Sequence, residues 1–264
     1  MRAAIIETQN DNPTRTDYSP RLWPALKRGA GDVYDNLGLV ALASFCWFTV
    51  ASLPLFISFA LAHSRTAALV VILTAVPWTI FATSPVTAGV FHLAAMVAKR
   101  EMPAASDILS GAKQFAASSW KLAAAQMVLT VIAVSDVVFF YLQFGHTGNF
   151  FFAMAGAVAL YALAFWEMMV SYQWPLLVEQ NPPTLKLIYR SFLFVADNLG
   201  FTAVIFFVII GLTILCLPGM ALLYMGAASI TITTAMRELL RKYGLAEIEP
   251  EVVEDRGWHI GDYR

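Results

Sequence analysis

NLGFTAVIFFVIIGLTILCLPGMALLYMGAASITITTAM, residues 198–236, is a run of 39 residues without a charged side chain, bounded by Asp197 and Arg237. As one helix it would measure nearly ~60 Å at ~1.5 Å per residue, about twice the ~30 Å hydrocarbon core of a bilayer. Leu217-Pro218-Gly219 lies near its middle, and proline and glycine are typical of a turn. The run therefore predicts two membrane spans that fold back on each other.

The rest of the chain has the same character. Hydrophobic residues make up 59% of the 264 residues and charged residues only 13%, against about 25% charged residues in an average soluble domain. Turn-forming residues at 62–65 and 145–149 divide the apolar sequence further. We therefore predict an all-α polytopic membrane bundle of six spans, arranged as three tandem helical hairpins. The predicted spans are 37–61, 67–98, 120–143, 150–178, 199–216 and 219–237.

Lysine and arginine indicate the side of the membrane on which each loop lies. Of the 17 such residues, 16 fall before span one, between spans two and three, between spans four and five, or after span six, and only Arg65 falls on the other side. Because cytoplasmic loops collect positive charge, both termini are predicted to be cytoplasmic. The chain then divides into a flexible cytoplasmic arm at 1–18, a membrane domain at 19–243 and an acidic cytoplasmic tail at 244–264.

An internal repeat supports the hairpin arrangement. Asp35-Asn36-Leu37-Gly38 opens span one, and Asp197-Asn198-Leu199-Gly200 opens span five, 162 residues later. Half of that interval, counted from Asp35, reaches Ala116, close to the predicted start of span three. The chain thus reads as three parallel units, each made of a short cytoplasmic amphipathic helix, a span, an outer turn and a returning span.

The short helices carry both apolar and basic residues. Leu185 and Ile188 recur at helical spacing around Lys186. Asn181-Pro182 offers an N-cap residue followed by a proline at the first helical position. Such a helix either lies in the inner membrane interface, with its basic side toward anionic headgroups, or packs under the bundle as a structural elbow. The sequence leaves both interpretations open.

Three motifs follow one another in the first half of the chain: TSPVTAGVF at 83–91, KRE at 99–101 and KQF at 113–115. Together they resemble the YesL-like family, bacterial integral membrane proteins grouped as a domain of unknown function. The resemblance covers about residues 20–125. It implies a multi-pass protein of the bacterial cytoplasmic (inner) membrane with an accessory role near carbohydrate-uptake transporters, and it carries no established chemistry.

The first of these motifs is a candidate hinge by its own chemistry. Pro85 removes a backbone donor and bends the second span, while Thr83, Ser84 and Thr87 are placed to satisfy the carbonyls freed by the bend. Gly89 lets another helix approach closely. The motif serves either helix packing or a gating hinge beside a binding pocket.

Glu167 is the main candidate for an intramembrane polar site. It lies well inside span four among apolar residues, where an ionised carboxylate costs ~2.5–3.5 kcal/mol unless it is paired, protonated or beside water. Ser171 follows it by one turn on the same face, and Gln126, Gln173 and His92 are candidate partners. The group predicts either a structural polar clamp between helices or a solute or proton site.

Other chemistry finds little support in the sequence. Asp136 lies near the outer turn and is a weaker candidate for the same polar site. His92 and Glu167 would give a metal ion only two ligands, whereas transition-metal sites normally have three or four, so we expect no metal. No hydrolase or phosphate-binding motif is present, and we expect no cofactor. The basic residues form short clusters beside spans rather than a nucleic-acid surface.

These observations predict a membrane protein without enzymatic activity, whose partners are the lipid bilayer and a membrane transporter or another membrane protein. The competing interpretation is a small-solute permease with a polar site around Glu167. An intramembrane enzyme is a third interpretation, for which the sequence offers no nucleophile or metal constellation.

Overall fold

A computed structural model describes residues 20–60, 74–216 and 219–245. The predicted turn at 62–65, the Leu217-Pro218 pair, the arm at 1–18 and most of the tail at 244–264 lie outside these residues. The described parts are helical, with no strand among them. The helices are α1 Leu22–Asp35, α2 Leu37–Ala60, α3 Thr74–Ala98, α4 Ser106–Gln114, α5 Ala116–Thr147, α6 Phe150–Gln180, α7 Thr184–Asp197, α8 Leu199–Leu215 and α9 Met225–Lys242.

The helices recur as short, long, long, three times over. The short helices are α1, α4 and α7, and the last helix of each unit, α3, α6 or α9, is called here its returning helix. The first long helices begin at Leu37, Ala116 and Leu199, so the intervals are 79 and 83 residues. The interval counted from the repeated motif therefore locates the start of α5 better than hydropathy does. A π-helical turn occurs at Thr79–Thr83 within α3 and at Met220–Tyr224 directly before α9.

The repeated Asp-Asn-Leu-Gly motif has the same structural role at both of its positions. Asn36 donates its side-chain amide to the Asp32 carbonyl at 2.9 Å, and Asn198 donates its amide to the Phe194 carbonyl at 3.1 Å. Each asparagine thus satisfies a carbonyl at the end of a short helix. The next residue begins the long helix, and between α7 and α8 the chain bends by 103°.

The short helices close the three units into a ring. α4 packs on α3, α7 packs on α6, and α1 packs on α9. Each short helix therefore lies against the returning helix of the preceding unit, and the first unit lies against the last. The three returning helices pack against one another at the centre of the ring.

Equivalent residues make equivalent contacts between the units. The fourth residue of each first long helix is Val40, Ser119 or Thr202, and all three are buried. Val40 lies against Gly226 of α9, where a Cβ atom would stand only 2.8 Å from the Val40 Cα. Ser84 of α3 hydrogen-bonds Ser119 at 3.4 Å, and Tyr172 of α6 hydrogen-bonds Thr202 at 3.4 Å. The tandem units thus share their contacts as well as their order.

Four helices of the described residues are long and apolar enough to cross a membrane, namely α2, α3, α5 and α6. The bent pair of α7 and α8 makes a fifth if it forms one span. α8 has 17 residues, and α9 has 15 of its 18 residues buried. α9 is therefore a central helix of the bundle, where the sequence predicted only a membrane span.

Two turns differ in detail from the sequence prediction. α5 continues through Gly145 to Thr147 and ends at Gly148, whose φ of 63° is a conformation that glycine adopts readily. Asn181 does not begin α7: it ends α6 in a left-handed conformation with φ 40°, and α7 starts at Thr184. Asparagine is favoured both before a helix and after one, which explains the misassignment.

Candidate functional site

Two of the predicted site residues form a polar clamp between α5, α6 and α7. Gln126 donates its side-chain amide to the Gln173 oxygen at 2.8 Å, and Gln173 donates to Ser191 at 3.4 Å. Ser191 in turn donates to the Ile188 carbonyl at 2.8 Å. Gln173 is completely buried, so these bonds replace the water that its amide loses. The two glutamines therefore bind each other rather than Glu167.

Glu167 lies nearly two turns before Gln173 on α6 and is half-buried. Its carboxylate forms no hydrogen bond or ion pair with the described part of the chain, and Ser171 donates to the Glu167 backbone carbonyl at 3.1 Å. The neighbouring Trp166 donates its indole N–H to Thr130 at 2.8 Å, joining α6 to α5. The Glu167 carboxylate thus takes part neither in the polar clamp nor in the Trp166–Thr130 hydrogen bond.

His92 and Asp136 lie apart from this group. The His92 ring is 5.8 Å from the Phe115 ring, and a Cβ added at Gly111 would lie 2.5 Å from the His92 Cβ, so His92 packs against α4. Asp136 is exposed on α5. Within residues 20–60, 74–216 and 219–245, no three His, Cys, Asp or Glu side chains are grouped as metal ligands would be. The structure thus does not pair His92 with Glu167.

The candidate hinge around Pro85 is fixed by hydrogen bonds from both sides. Pro85 has no N–H to offer the Phe81 carbonyl four residues earlier, and that carbonyl accepts the indole N–H of Trp120 at 3.2 Å. Thr87 donates to the Thr83 carbonyl at 2.9 Å, as expected from the sequence. Gly89 lies so close to α4 that a Cβ atom would overlap the Ile108 backbone. These contacts favour packing over a moving hinge.

A second proline is compensated in the same way. Pro54 interrupts α2 and leaves the Val50 carbonyl without its usual partner, and Trp78 donates its indole N–H to that oxygen at 2.8 Å. Trp47 also donates to Thr87 at 2.9 Å. Tryptophan therefore joins helices by its single donor. The sequence signal for this contact is Pro54, which lies four residues after Val50 and leaves the Val50 carbonyl without its usual donor.

The pairing of Pro85 with Trp120 predicts a coupled effect on stability. Trp120→Phe should lower the free energy of unfolding by about 1 kcal/mol beyond lost packing, because the Phe81 carbonyl loses its donor. In a Pro85→Ala background the new N–H at residue 85 supplies that carbonyl, so the same substitution should cost less. A double-mutant cycle by reversible unfolding in detergent measures the difference, and strictly additive effects would refute the pairing.

Charged residues at one end of the bundle form a cluster that sequence reasoning did not identify. We call this the basic end; it is where the three returning helices finish. Glu179 at the end of α6 lies 3.0 Å from the Lys99 amine and 3.9 Å from the Arg237 Nε, and Arg237 also donates to the Ala98 carbonyl. One carboxylate therefore ties the ends of α3, α6 and α9 together.

Two further ion-pair groups surround this cluster. Glu238 lies 3.2 Å from Arg28 of α1 and 2.7 Å from Arg241. Lys242 lies 2.8 Å from Asp197 and donates to Asn198 at 2.6 Å, which fixes the joint between α7 and α8. The sequence presented these charges as ordinary flanks of spans, because a separation of 210 residues between Arg28 and Glu238 gives no local signal.

The polar groups of the described chain thus mainly hold helices together. The Gln126–Gln173 pair, the tryptophan donors and most ion pairs of the basic end join different helices, while Glu167 and Asp136 do not. No protein-family model, curated protein or solved structure matches the chain. The YesL-like resemblance therefore stays a prediction.

Proposed function

We propose that this chain is a six-span protein of the bacterial inner membrane, with its basic end in the cytoplasm, and that it serves as a non-enzymatic accessory or assembly component for another membrane protein. The connection to carbohydrate uptake rests on the YesL-like resemblance. The partner surface is argued from the exposed part of the α5–α6 hairpin.

Six spans agree with the helix lengths. α8 measures about 25 Å, and the helical stretch from Met220 to Lys242 measures about 35 Å. The charged residues of α9 lie in its last turns, from Arg237 to Lys242, so its remaining length is free of charge. α8 and the uncharged residues 220–236 have 17 residues each, the lower end of the ~17–25 residues that one membrane crossing uses.

The observation that carries the accessory role is the exposure of residues 128–163, called the distal hairpin. Gly156 is the only buried residue in this range. α5 has 32 residues, or about 48 Å, and would need a tilt beyond the usual ~40° to fit within the hydrocarbon core. The tip carries exposed Phe144, Phe150 and Phe151, an aromatic surface that gains from a protein partner.

Asp136 favours a protein over lipid as the neighbour of the distal hairpin. It is exposed on α5, and a carboxylate facing hydrocarbon costs several kcal/mol on most scales. A partner helix with a hydrogen-bond donor or a cation at that depth removes this cost. The interior clamps support the same role, because polar groups already bonded between helices are not free to bind a passing solute.

A small-solute permease remains the second candidate because of Glu167. Its half-buried carboxylate has no bonded partner in the described residues, which is the state expected of a group that binds a solute or a proton. Purified protein in liposomes would then carry solute in a Glu167-dependent manner, whereas an accessory protein reconstituted alone would carry none.

The accessory role predicts protein contacts at the distal hairpin in the native membrane. A photoreactive benzoylphenylalanine at Phe139, which is 52% exposed, should form a discrete protein adduct, whereas the same probe at Phe207 on α8, which is 66% exposed, should not. The two positions share residue type and exposure and differ in the helix that carries them. Adducts are measured by mass and identified by peptide sequencing.

Equal adducts at Phe139 and Phe207, or protein adducts at neither, would contradict the accessory role. An adduct with a subunit of a sugar transporter would support the carbohydrate connection, and one with an unrelated membrane protein would remove that part alone. Adducts at Phe139 should also weaken when Asp136→Leu is combined with the probe, because the proposed polar contact is lost.

A further inference from the structure

The cations of the basic end include two sets that differ in pairing. Arg28, Lys99, Arg237, Arg241 and Lys242 all lie within 4 Å of a carboxylate. Lys27, Lys113 and Lys186 are exposed, and their side chains make no ion pair or hydrogen bond anywhere in 20–60, 74–216 or 219–245. The first set is neutralised within the protein, and the second is available to an external anion.

These three lysines lie one on each short helix. Lys27 lies four residues after Trp23 on α1, Lys113 four residues after Leu109 on α4, and Lys186 three residues before Tyr189 on α7. Such spacings place two side chains on the same side of a helix. The three apolar neighbours are 76%, 59% and 53% exposed, respectively. Each short helix therefore presents a lysine beside an uncovered apolar side chain.

The opposite face of each short helix is already occupied. Gly29 of α1 faces Thr231 of α9, and Gly111 of α4 faces His92 of α3. Val195 of α7, nine residues after Lys186 and therefore on the other side of the helix, is fully buried within the main core. The lysine-bearing sides are those left uncovered by this packing, and the two earlier interpretations of the short helices, structural elbow and interfacial helix, apply to opposite faces of the same elements.

We propose that α1, α4 and α7 form a collar that binds anionic phospholipid headgroups around the basic end. A lysine is stable in water, whereas an exposed tryptophan or leucine is more stable in hydrocarbon. The headgroup region of a bilayer accommodates both kinds of side chain. The three helices lie on three different returning helices, so their outer faces are distributed around the ring. A lipid annulus surrounds a membrane protein in this way, whereas a single soluble partner would have to encircle it.

The collar rests on the membrane placement of the basic end and not on the accessory role. The collar explains why these three lysines lack partners within the described residues. The carboxylates of the basic end pair with the other cations, and the three lysines bind phosphate groups of the bilayer. Positive charge near an anionic surface is attracted with a strength equivalent to up to about fivefold in affinity per lysine.

Spin-labelled lipids measure this preference directly on the full chain in vesicles. We expect spin-labelled phosphatidylglycerol to be enriched at the protein several-fold over spin-labelled phosphatidylcholine, and the enrichment to fall as salt screens the charges. Lys27→Gln, Lys113→Gln and Lys186→Gln should each reduce the enrichment by a similar factor of about 1.5–2, so that the three factors multiply to the several-fold total, and each factor stays within the limit of about fivefold per lysine. The triple variant should show no preference, and soluble glycerol phosphate should not displace the labelled lipid.

Arg100→Gln is the matched control, because Arg100 is an exposed cation beside the same end of α3 that is not on a short helix. It should leave the enrichment nearly unchanged. An equal effect of Arg100→Gln would show that net charge, and not the collar, sets the preference, and retained enrichment in the triple variant would also overturn the proposal. Since the three lysines have no internal partners, an unchanged unfolding temperature checks that the variants fold.

Discussion

Gly89→Ala is expected to lower the free energy of unfolding by about 3 kcal/mol, the upper range for overpacking a close contact. The added Cβ would overlap the carbonyl of Ile108, and it would lie 3.1 Å from the Ala112 nitrogen. Both neighbours are backbone atoms of α4, so no side-chain rotation relieves the clash. The two helices must separate, and reversible unfolding in mixed detergent micelles measures the loss.

Gly211→Ala provides a control of opposite sign. Gly211 is exposed within α8, and a Cβ there meets no atom within 4 Å. Alanine should therefore stabilise the helix by up to about 1 kcal/mol through its better helix propensity. Equal effects of the two substitutions would show that general helix stability, rather than the contact between α3 and α4, decides the outcome.

Glu238→Gln is expected to cost about 3–5 kcal/mol, the range for breaking a buried ion pair by removing one partner. The Glu238 and Arg241 side chains are only 3% and 5% exposed, and Arg28 reaches the same carboxylate from α1. Without the negative charge, the buried Arg241 guanidinium loses the carboxylate that lies 2.7 Å from it, and α1 loses an attachment to α9. The measurement is the free energy of unfolding, together with proteolysis of α1.

Two comparison variants test the cause of that loss. Glu101→Gln removes an exposed carboxylate beside the same end of α3 and should change stability by less than about 0.5 kcal/mol. Replacing Glu238 and Arg241 together by methionine should recover part of the loss, because an apolar pair avoids the cost of burying charged groups. If Glu238→Gln left the free energy of unfolding unchanged, the ion pairs of Glu238 with Arg28 and Arg241 would contribute nothing to the stability of the ring.

The sequence predicted the order of helices because the relevant signals are local. The two Asp-Asn-Leu-Gly motifs mark where a short helix ends and a long one begins, and the asparagine amide performs that role within four residues of chain. Pro85 likewise indicated an irregular turn in α3, and Thr87 donates to the Thr83 carbonyl one turn earlier. The interval between repeats also located Ala116 as a helix start.

The contacts between units could not be predicted in the same way. The glycine, alanine, serine and threonine residues of α9 favour close helix packing, but they do not identify the helices that pack there, and its burial follows from the ring. The Trp78 and Trp120 donors reach carbonyls on other helices, and Glu179 joins three helix ends. Such pairings depend on which helices are neighbours, and hydropathy carries no information about neighbours.

The candidate polar site divides for a related reason. Gln126 and Gln173 were expected near Glu167 on grounds of depth, and depth was sufficient to bring the two glutamines together at 2.8 Å. Depth does not specify direction around a helix axis, so Glu167 and His92 remained unpaired with each other. The sequence placed Asp136 near the outer turn. Because Asp136 is exposed on the distal hairpin, we instead include it in the proposed partner surface.

Closure of the ring by α1 on α9 has a consequence for how the protein is made. Arg28 and Glu238 are separated by 210 residues, so at ribosomal speeds of about 5–20 residues per second the first short helix waits roughly 10–40 s for its binding surface to be synthesised. During that interval the amphipathic helix α1 has not yet been joined by α9, against which it packs in the complete protein. A message truncated before α9 would leave it so permanently, offering membrane proteases a means of recognising unfinished copies.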